Sequence, residues 1–291
     1  MKANVKKNVL SLLTPVLLLV ICGGNIHKQI GNKIKTDSII TVINGMKTLH
    51  LDSMQVTWIQ DNNEDYFISN SIFSDTNGIH IKDQSFSNGI PSSISSFLVK
   101  MNGIQILFDT GYGFSDSKLL IRLQELGISP EDMMYIYITH FHRDHIGGLM
   151  HNDSVVFPNA EVYASKKEYD AWINMPLDKK SQVVKTMNAY KKRLHLFEFG
   201  DTLPGKVLAM NAIGHTPGHT VYRIGKLLII GDLIHGAAFQ YEYPEICASF
   251  DMDKNKAIQS RKYYLQYAKE NNLIIAGMHL PAPAFKYPLC D

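Results

Sequence analysis

The chain has 291 residues, 45% of them hydrophobic and 19% charged, and a formal net charge of +2. That suits one α/β unit with a sizeable core and excludes a repeat or low-complexity architecture. So small a charge also gives no electrostatic reason to expect nucleic acid or an anionic membrane surface as partner.

At the amino terminus, Lys2, Lys6 and Lys7 precede an apolar run over 9–21 that is too short to span a bilayer but suits a signal-peptide core. Cys22-Gly23-Gly24-Asn25 follows and resembles a bacterial lipoprotein junction, although Ile21 stands where a small residue is usual. Residues 1–22 are therefore expected to be a signal or lipoprotein signal, and the protein to be exported, to the periplasm or to a membrane through lipid on Cys22. Mass spectrometry of the mature protein should find a diacylated Cys22 or a free amino terminus nearby; an intact Met1 on a cytoplasmic protein would refute export. Residues 23–50 lack a clear period and read as a linker or lead-in, with a single catalytic domain over 51–291. The remaining cysteines, Cys247 and Cys290, either pair in an oxidising compartment or stay as thiols; without a C-x-x-C spacing they do not read as metal ligands.

Within 51–291, Ile94 to Val99 reads as a strand, and Asn102-Gly103 turns it back into Ile104 to Phe108. Ser115 or Asp116 can cap a helix bearing Leu119, Leu120, Leu123 and Leu126, which Gly127 ends. Strands follow at Met134 to Thr139 and Glu161 to Ala164, then helices at Lys166 to Ile173 and from about Asp178 to about Arg193. Val207 to Ala212 and Leu227 to Ile230 are strands on either side of a Gly214-to-Thr220 loop. A helix over Lys254 to Glu270 and a strand over Leu273 to Ala276 complete the pattern. Alternating strands and helices with hairpins mixed in predict two mixed β-sheets packed together with helices outside, an α/β layered sandwich.

The chemistry lies at the strand ends. Thr139-His140-Phe141-His142-Arg143-Asp144-His145 follows one of them: His140 and His142 can converge on one metal, while Asp144 and His145 can reach a second. Gly214-His215-Thr216-Pro217-Gly218-His219, Gly231-Asp232 and Met278-His279 bring further donors to other strand ends. Each alone reads as an ordinary structural residue, but an accidental assembly of all of them is a poor explanation.

This ordered set resembles the metallo-β-lactamase superfamily over roughly residues 90–285. The resemblance implies an αββα four-layer sandwich and two divalent metal ions, zinc foremost. It gives His140, His142 and His219 to one ion, Asp144, His145 and His279 to the other, and Asp232 to both. Between His215 and His219 it selects His219, leaving His215 a supporting role, and Asp109 is expected to orient a ligating imidazole. Asp232 and Asp144 are the expected catalytic residues: a metal-bridging hydroxide attacks, and Asp232 passes a proton to the leaving group. True β-lactamases usually lack an equivalent of either His145 or Asp232, and this chain has both.

The segments Gly231 to Gln240, Phe250 to Asp253, Met278 to Leu280 and Phe157 to Ala160 look like methyl parathion hydrolase and the exported lactonases similar to it. That likeness implies a neutral small-molecule substrate, a lactone, an ester or an organophosphate triester. It also places Trp172 either in an apolar pocket or in simple packing, and His235 near the leaving group without a catalytic assignment. The alternatives are a phosphodiesterase built on the same centre and a metal-binding sensor without turnover.

Overall fold

The computed structural model describes residues 42–43, 45–62, 66–74 and 88–288. The expected signal segment and Cys290 lie outside the described residues. Two mixed sheets form the body. The first has eight strands, in the order Val42–Ile43, Met46–Leu51, Met54–Gln60, Ser95–Met101, Ile104–Phe108, Tyr135–Tyr137, Glu161–Ser165 and Leu194–Phe197. Its first five strands pair antiparallel and its last three join in parallel. The second has six, in the order Thr202–Leu203, Val207–Asn211, Thr220–Ile224, Leu227–Ile229, Ile274–Ala276 and Phe285–Lys286; the pair Leu227–Ile229 and Ile274–Ala276 is parallel.

Side-chain alternation along the strands explains the layering. Phe97, Val99, Ile106 and Phe108 point inward and share a core with Val207, Ala209, Val221 and Tyr222 of the second sheet. Their neighbours Leu98 and Leu107 point the other way, into a core with Leu119, Leu123, Trp172, Val183 and Met187. Those five come from helices Leu119–Glu125, Lys166–Ile173 and Leu177–Ala189. Tyr264 and Ala268 of helix Lys254–Glu270 pack with the second sheet. The αββα sandwich expected from the sequence is the observed fold. Among the described residues, no helix is long and apolar enough to cross a membrane.

Two readings change. The lead-in does not extend to residue 50: Met46–Leu51 pairs with Met54–Gln60, and buried Leu49 and Leu51 enter the inter-sheet core. Its polar residues had hidden a strand that is only half apolar. The first helix is not capped by Ser115 or Asp116. It starts after Lys118, and its Leu119 N–H donates to the buried Asp61 carboxylate at 3.0 Å, a partner 58 residues away. Cys247 is buried with its thiol 3.6 Å from the Lys254 carbonyl.

Candidate metal centre

Four strand ends and one short helix deliver the polar residues. After Tyr135–Tyr137 the chain bends at Thr139 and again at His142, itself in the extended region (φ −65°, ψ 156°), before the helix Arg143–Ile146. His140 and His142 therefore project from the loop between strand and helix, and Asp144 and His145 from the first helical turn. Asp232 and His279 follow Leu227–Ile229 and Ile274–Ala276, and because those strands are parallel neighbours their ends lie side by side. His279 Nε2 is 3.2 Å from Asp232 Oδ2.

The donors form two groups joined by Asp232. In the first, His142 Nδ1 lies 3.0 Å from His140 Nε2 and 2.8 Å from His215 Nε2, and His215 Nε2 lies 3.2 Å from Asp232 Oδ2. In the second, Asp144 Oδ2 lies 3.3 Å from His279 Nε2 and 3.6 Å from His145 Nε2. His145 Nε2 is also 3.1 Å from Asp232 Oδ1, so each carboxylate oxygen of Asp232 faces imidazole.

The imidazoles are aimed from behind. Asp109, fully buried, accepts from His145 Nδ1 at 2.7 Å and from both the N–H and the hydroxyl of Thr139, whose oxygen lies 3.0 Å from His140 Nδ1. The family resemblance implied that Asp109 orients one imidazole; it holds His145 directly and reaches His140 through the Thr139 hydroxyl. His279 Nδ1 donates to the Ser93 carbonyl, while Ser92 and Ser93 hydroxyls hold the carbonyls of residues 278–280. His215 Nδ1 donates to Asp251 Oδ1 at 2.9 Å, and Asp251 is paired with buried Arg261 at 3.3 Å. Such partners fix the tautomer and leave Nε2 facing the site.

The choice of His219 over His215 is corrected by this geometry. His219 is fully buried but both its nitrogens are engaged: Nδ1 donates to the Ala212 carbonyl at 3.1 Å, and Nε2 accepts the Asp232 N–H at 3.0 Å. Gly231 makes that approach possible, with φ +51° and a position where a Cβ would stand 2.5 Å from His219 Nε2. His215, not His219, lies in the donor group with His140, His142 and Asp232. His219 props the turn that carries Asp232.

Burial and mutual charge shape the electrostatics. Burial holds His140 well below the ordinary imidazole range and, with His215 nearby, takes His142 down to about 3. Burial opposes charge on Asp232, yet His145, His279 and His140 hold its carboxyl far below the usual value. Conversely, Asp232 and its neighbouring carboxylates overcome burial to raise His215 to about 9 and His279 to about 10. Asp144 is likewise kept ionised against burial by His145 and His279. A pocket that draws positive charge onto buried imidazoles, with nitrogen atoms facing nitrogen at 2.8–3.2 Å, fits divalent cations. His145 Nε2 and Asp232 Oδ1 are buried without an aligned hydrogen-bond partner, which agrees.

Several flanking residues took no definite part in the sequence reading. His235 sits against the centre, with Nε2 3.0 Å from Asp232 Oδ2, and burial lowers it to about 4 despite that carboxylate. Trp172 is 6% exposed; its ring meets His142 edge-on and its indole N–H donates to Glu168, so it packs the centre from below. The rim is aromatic. Tyr112 stacks on the exposed Phe114, Arg143 lies 4.2 Å above Phe114, and exposed Phe250 packs edge-on against His235. Burial and the Asp144 carboxylate raise the Tyr66 and Tyr112 hydroxyls, keeping both as neutral donors. Phe141 and Phe239 are core residues, and Tyr241 lies under Lys286 in a separate groove.

The family model described as Metallo-beta-lactamase superfamily matches residues 89–270, more than half of the chain. The chain belongs to the metallo-β-lactamase superfamily. Among solved structures it is similar to the hydrolase AbOPH in the beta lactamase superfamily, at 28% identity and TM-score 0.76, covering 86% of this chain and 96% of that one. It is also similar to AidC, a dizinc quorum-quenching lactonase, at 27% identity and TM-score 0.74, with coverage of 84% and 94%. A curated relative, the N-acyl homoserine lactonase of Bacillus sp, is 31% identical over 104 residues, 36% of this chain and 38% of the relative. The chain spans less than half the length of the first curated relatives it matches, which include ribonuclease Z as well as lactonases.

Proposed function

We propose that this chain is a binuclear metal-dependent hydrolase of neutral lactones or esters, organophosphate triesters included. The observation that carries the reading is the pair of donor groups meeting at one buried carboxylate beneath an aromatic rim. His140, His142 and His215 would hold one divalent ion, Asp144, His145 and His279 the other, and Asp232 both; imidazole and carboxylate suit zinc. Bound there, such ions supply Lewis acidity, polarising a carbonyl oxygen and making water acidic enough to be deprotonated near neutral pH.

The chain's own residues supply the rest. Asp232 keeps the two donor groups in register and, being ionised, can accept a proton and release it to the leaving oxygen. Asp144 completes the second group and lies within electrostatic reach of Tyr66 and Tyr112, whose hydroxyls remain donors toward a substrate oxygen. Tyr112, Phe114 and Phe250 offer apolar surface to a substrate's acyl or aryl group and keep water from the buried donors. The rim cation Arg143 is engaged with Phe114, too little positive charge for a phosphate monoester dianion.

Zinc-loaded protein is expected to carry two ions per chain and to lose them and its hydrolysis together on chelation. Its kcat/KM should be higher for lactones or aryl esters than for phosphate mono- or diesters. One tightly held ion in a fully active protein would refute the binuclear reading. A preference of about tenfold for a phosphodiester, about 1.4 kcal/mol in barrier, would move the enzyme to phosphodiester chemistry while leaving the centre intact.

A further inference from the structure

Glu168 has no place in the chemistry above, yet it is one of the most heavily engaged carboxylates in the molecule. It is buried in the first turn of helix Lys166–Ile173 and accepts four hydrogen bonds, two on each oxygen. Oε1 receives the Phe141 N–H at 2.9 Å and the Trp172 indole N–H at 2.6 Å. Oε2 receives the Thr216 hydroxyl at 2.8 Å and the Gly218 N–H at 2.7 Å. Burial raises its carboxyl despite all four bonds, so the fold holds a four-fold acceptor where desolvation disfavours its charge.

The donors identify what it joins. Phe141 stands between His140 and His142. Thr216 and Gly218 lie one and three residues after His215. One carboxylate therefore ties two loops that are more than 70 residues apart in sequence and whose rings meet at 2.8 Å, His142 Nδ1 to His215 Nε2. Gly218 lets the second loop come down on the helix: a Cβ there would stand 2.1 Å from the Glu168 nitrogen. Trp172, on the same helix, braces the His142 ring edge-on at 5.7 Å.

We propose that Glu168 is a positioning residue that clamps the His140–His142 loop to the His215 loop and so sets the gap between His142 and His215. The proposal rests on the reading above, in which these histidines hold one ion together. A loss of either pair of hydrogen bonds would let the loops part without removing any donor to the metal.

The test uses the full chain with Glu168→Gln and Glu168→Asp, titrated with Co²⁺ and Zn²⁺. Glutamine keeps the volume but puts an amide nitrogen against one pair of donors; aspartate keeps the charge and is one methylene shorter. Glu168→Gln is expected to bind the ion at the His140–His142–His215 group about 10–100-fold more weakly, the usual effect of losing an outer partner of a metal ligand. Its visible Co²⁺ spectrum should shift, while Glu168→Asp recovers part of the affinity and uptake by Asp144, His145 and His279 persists. A Glu168→Gln protein with the wild-type Co²⁺ spectrum and titration, even if less heat-stable, overturns the clamp, and so does equal loss at both groups. If the wild-type chain takes up no Co²⁺ at all, the functional reading has failed instead. Imidazole ¹⁵N shifts of His142 and His215 then decide the clamp: it stands if they move in Glu168→Gln and falls if they do not.

Discussion

Asp232→Ala is expected to lower kcat/KM by more than about a thousandfold, about 4 kcal/mol of transition-state stabilisation, and to leave fewer than two ions per chain. The carboxylate is 2% exposed, and its two oxygens lie 3.0–3.2 Å from nitrogens of His145, His215, His235 and His279. Among the described residues Asp232 lies within 3.2 Å of members of both donor groups, so its loss uncouples them and removes the negative charge around which the imidazoles gather. The effect should exceed the roughly 10–100-fold that follows loss of an outer partner. Asp232→Asn is the matched control, because it preserves shape but gives up one oxygen and the charge; it should fall nearly as far. Elemental analysis beside steady-state kinetics checks both halves, and an alanine variant with two ions and activity within tenfold of wild type would remove Asp232 from the shared position.

The parts of the fold and centre that could be read in advance are those written in local pattern. The Lys166–Ile173 and Lys254–Glu270 helices and the Asn102-Gly103 hairpin are where periodicity and turn chemistry place them. His140, His142, Asp144 and His145 announce themselves by spacing, and Asp232 and His279 by ending apolar strands. What stayed hidden depends on distant partners. Asp61 starts a helix whose local residues suggested Ser115 or Asp116. Asp251 orients His215 from a segment noted in the sequence only for its likeness to relatives. Glu168 carried a misleading signal, since Ser165-Lys166-Lys167-Glu168 has the form of a capping box, in which the glutamate reaches back toward the serine. Ser165 does accept the Glu168 N–H, at 3.4 Å, but the glutamate side chain turns to Phe141, Trp172, Thr216 and Gly218. No residue near it in sequence reveals that.

His215→Ala should cost far more activity and metal than His219→Ala, the reverse of what the family resemblance implied. The loop repeats itself, Gly214-His215 and then Gly218-His219, so spacing cannot say which ring turns inward. Long-range hydrogen bonds decide it. Asp251, paired with Arg261, takes the His215 Nδ1 proton and leaves Nε2 2.8 Å from His142 and 3.2 Å from Asp232. The Ala212 carbonyl takes the His219 Nδ1 proton, and the Asp232 N–H occupies its other nitrogen. Removing His215 therefore deletes a donor from the first group, with an expected loss of one ion and of more than about a hundredfold in kcat/KM, about 2.7 kcal/mol. Removing His219 empties a fully buried site and frees the Asp232 turn, so its expected signature is a lower melting temperature, in line with the 1–3 kcal/mol typical of an unsatisfied buried group. Two ions should remain at saturating zinc, with a smaller fall in activity. Metal content, melting temperature and kinetics measured on both variants separate the two roles. A His219→Ala protein that keeps its stability but loses an ion, beside a His215→Ala protein that keeps two, would return His219 to the metal.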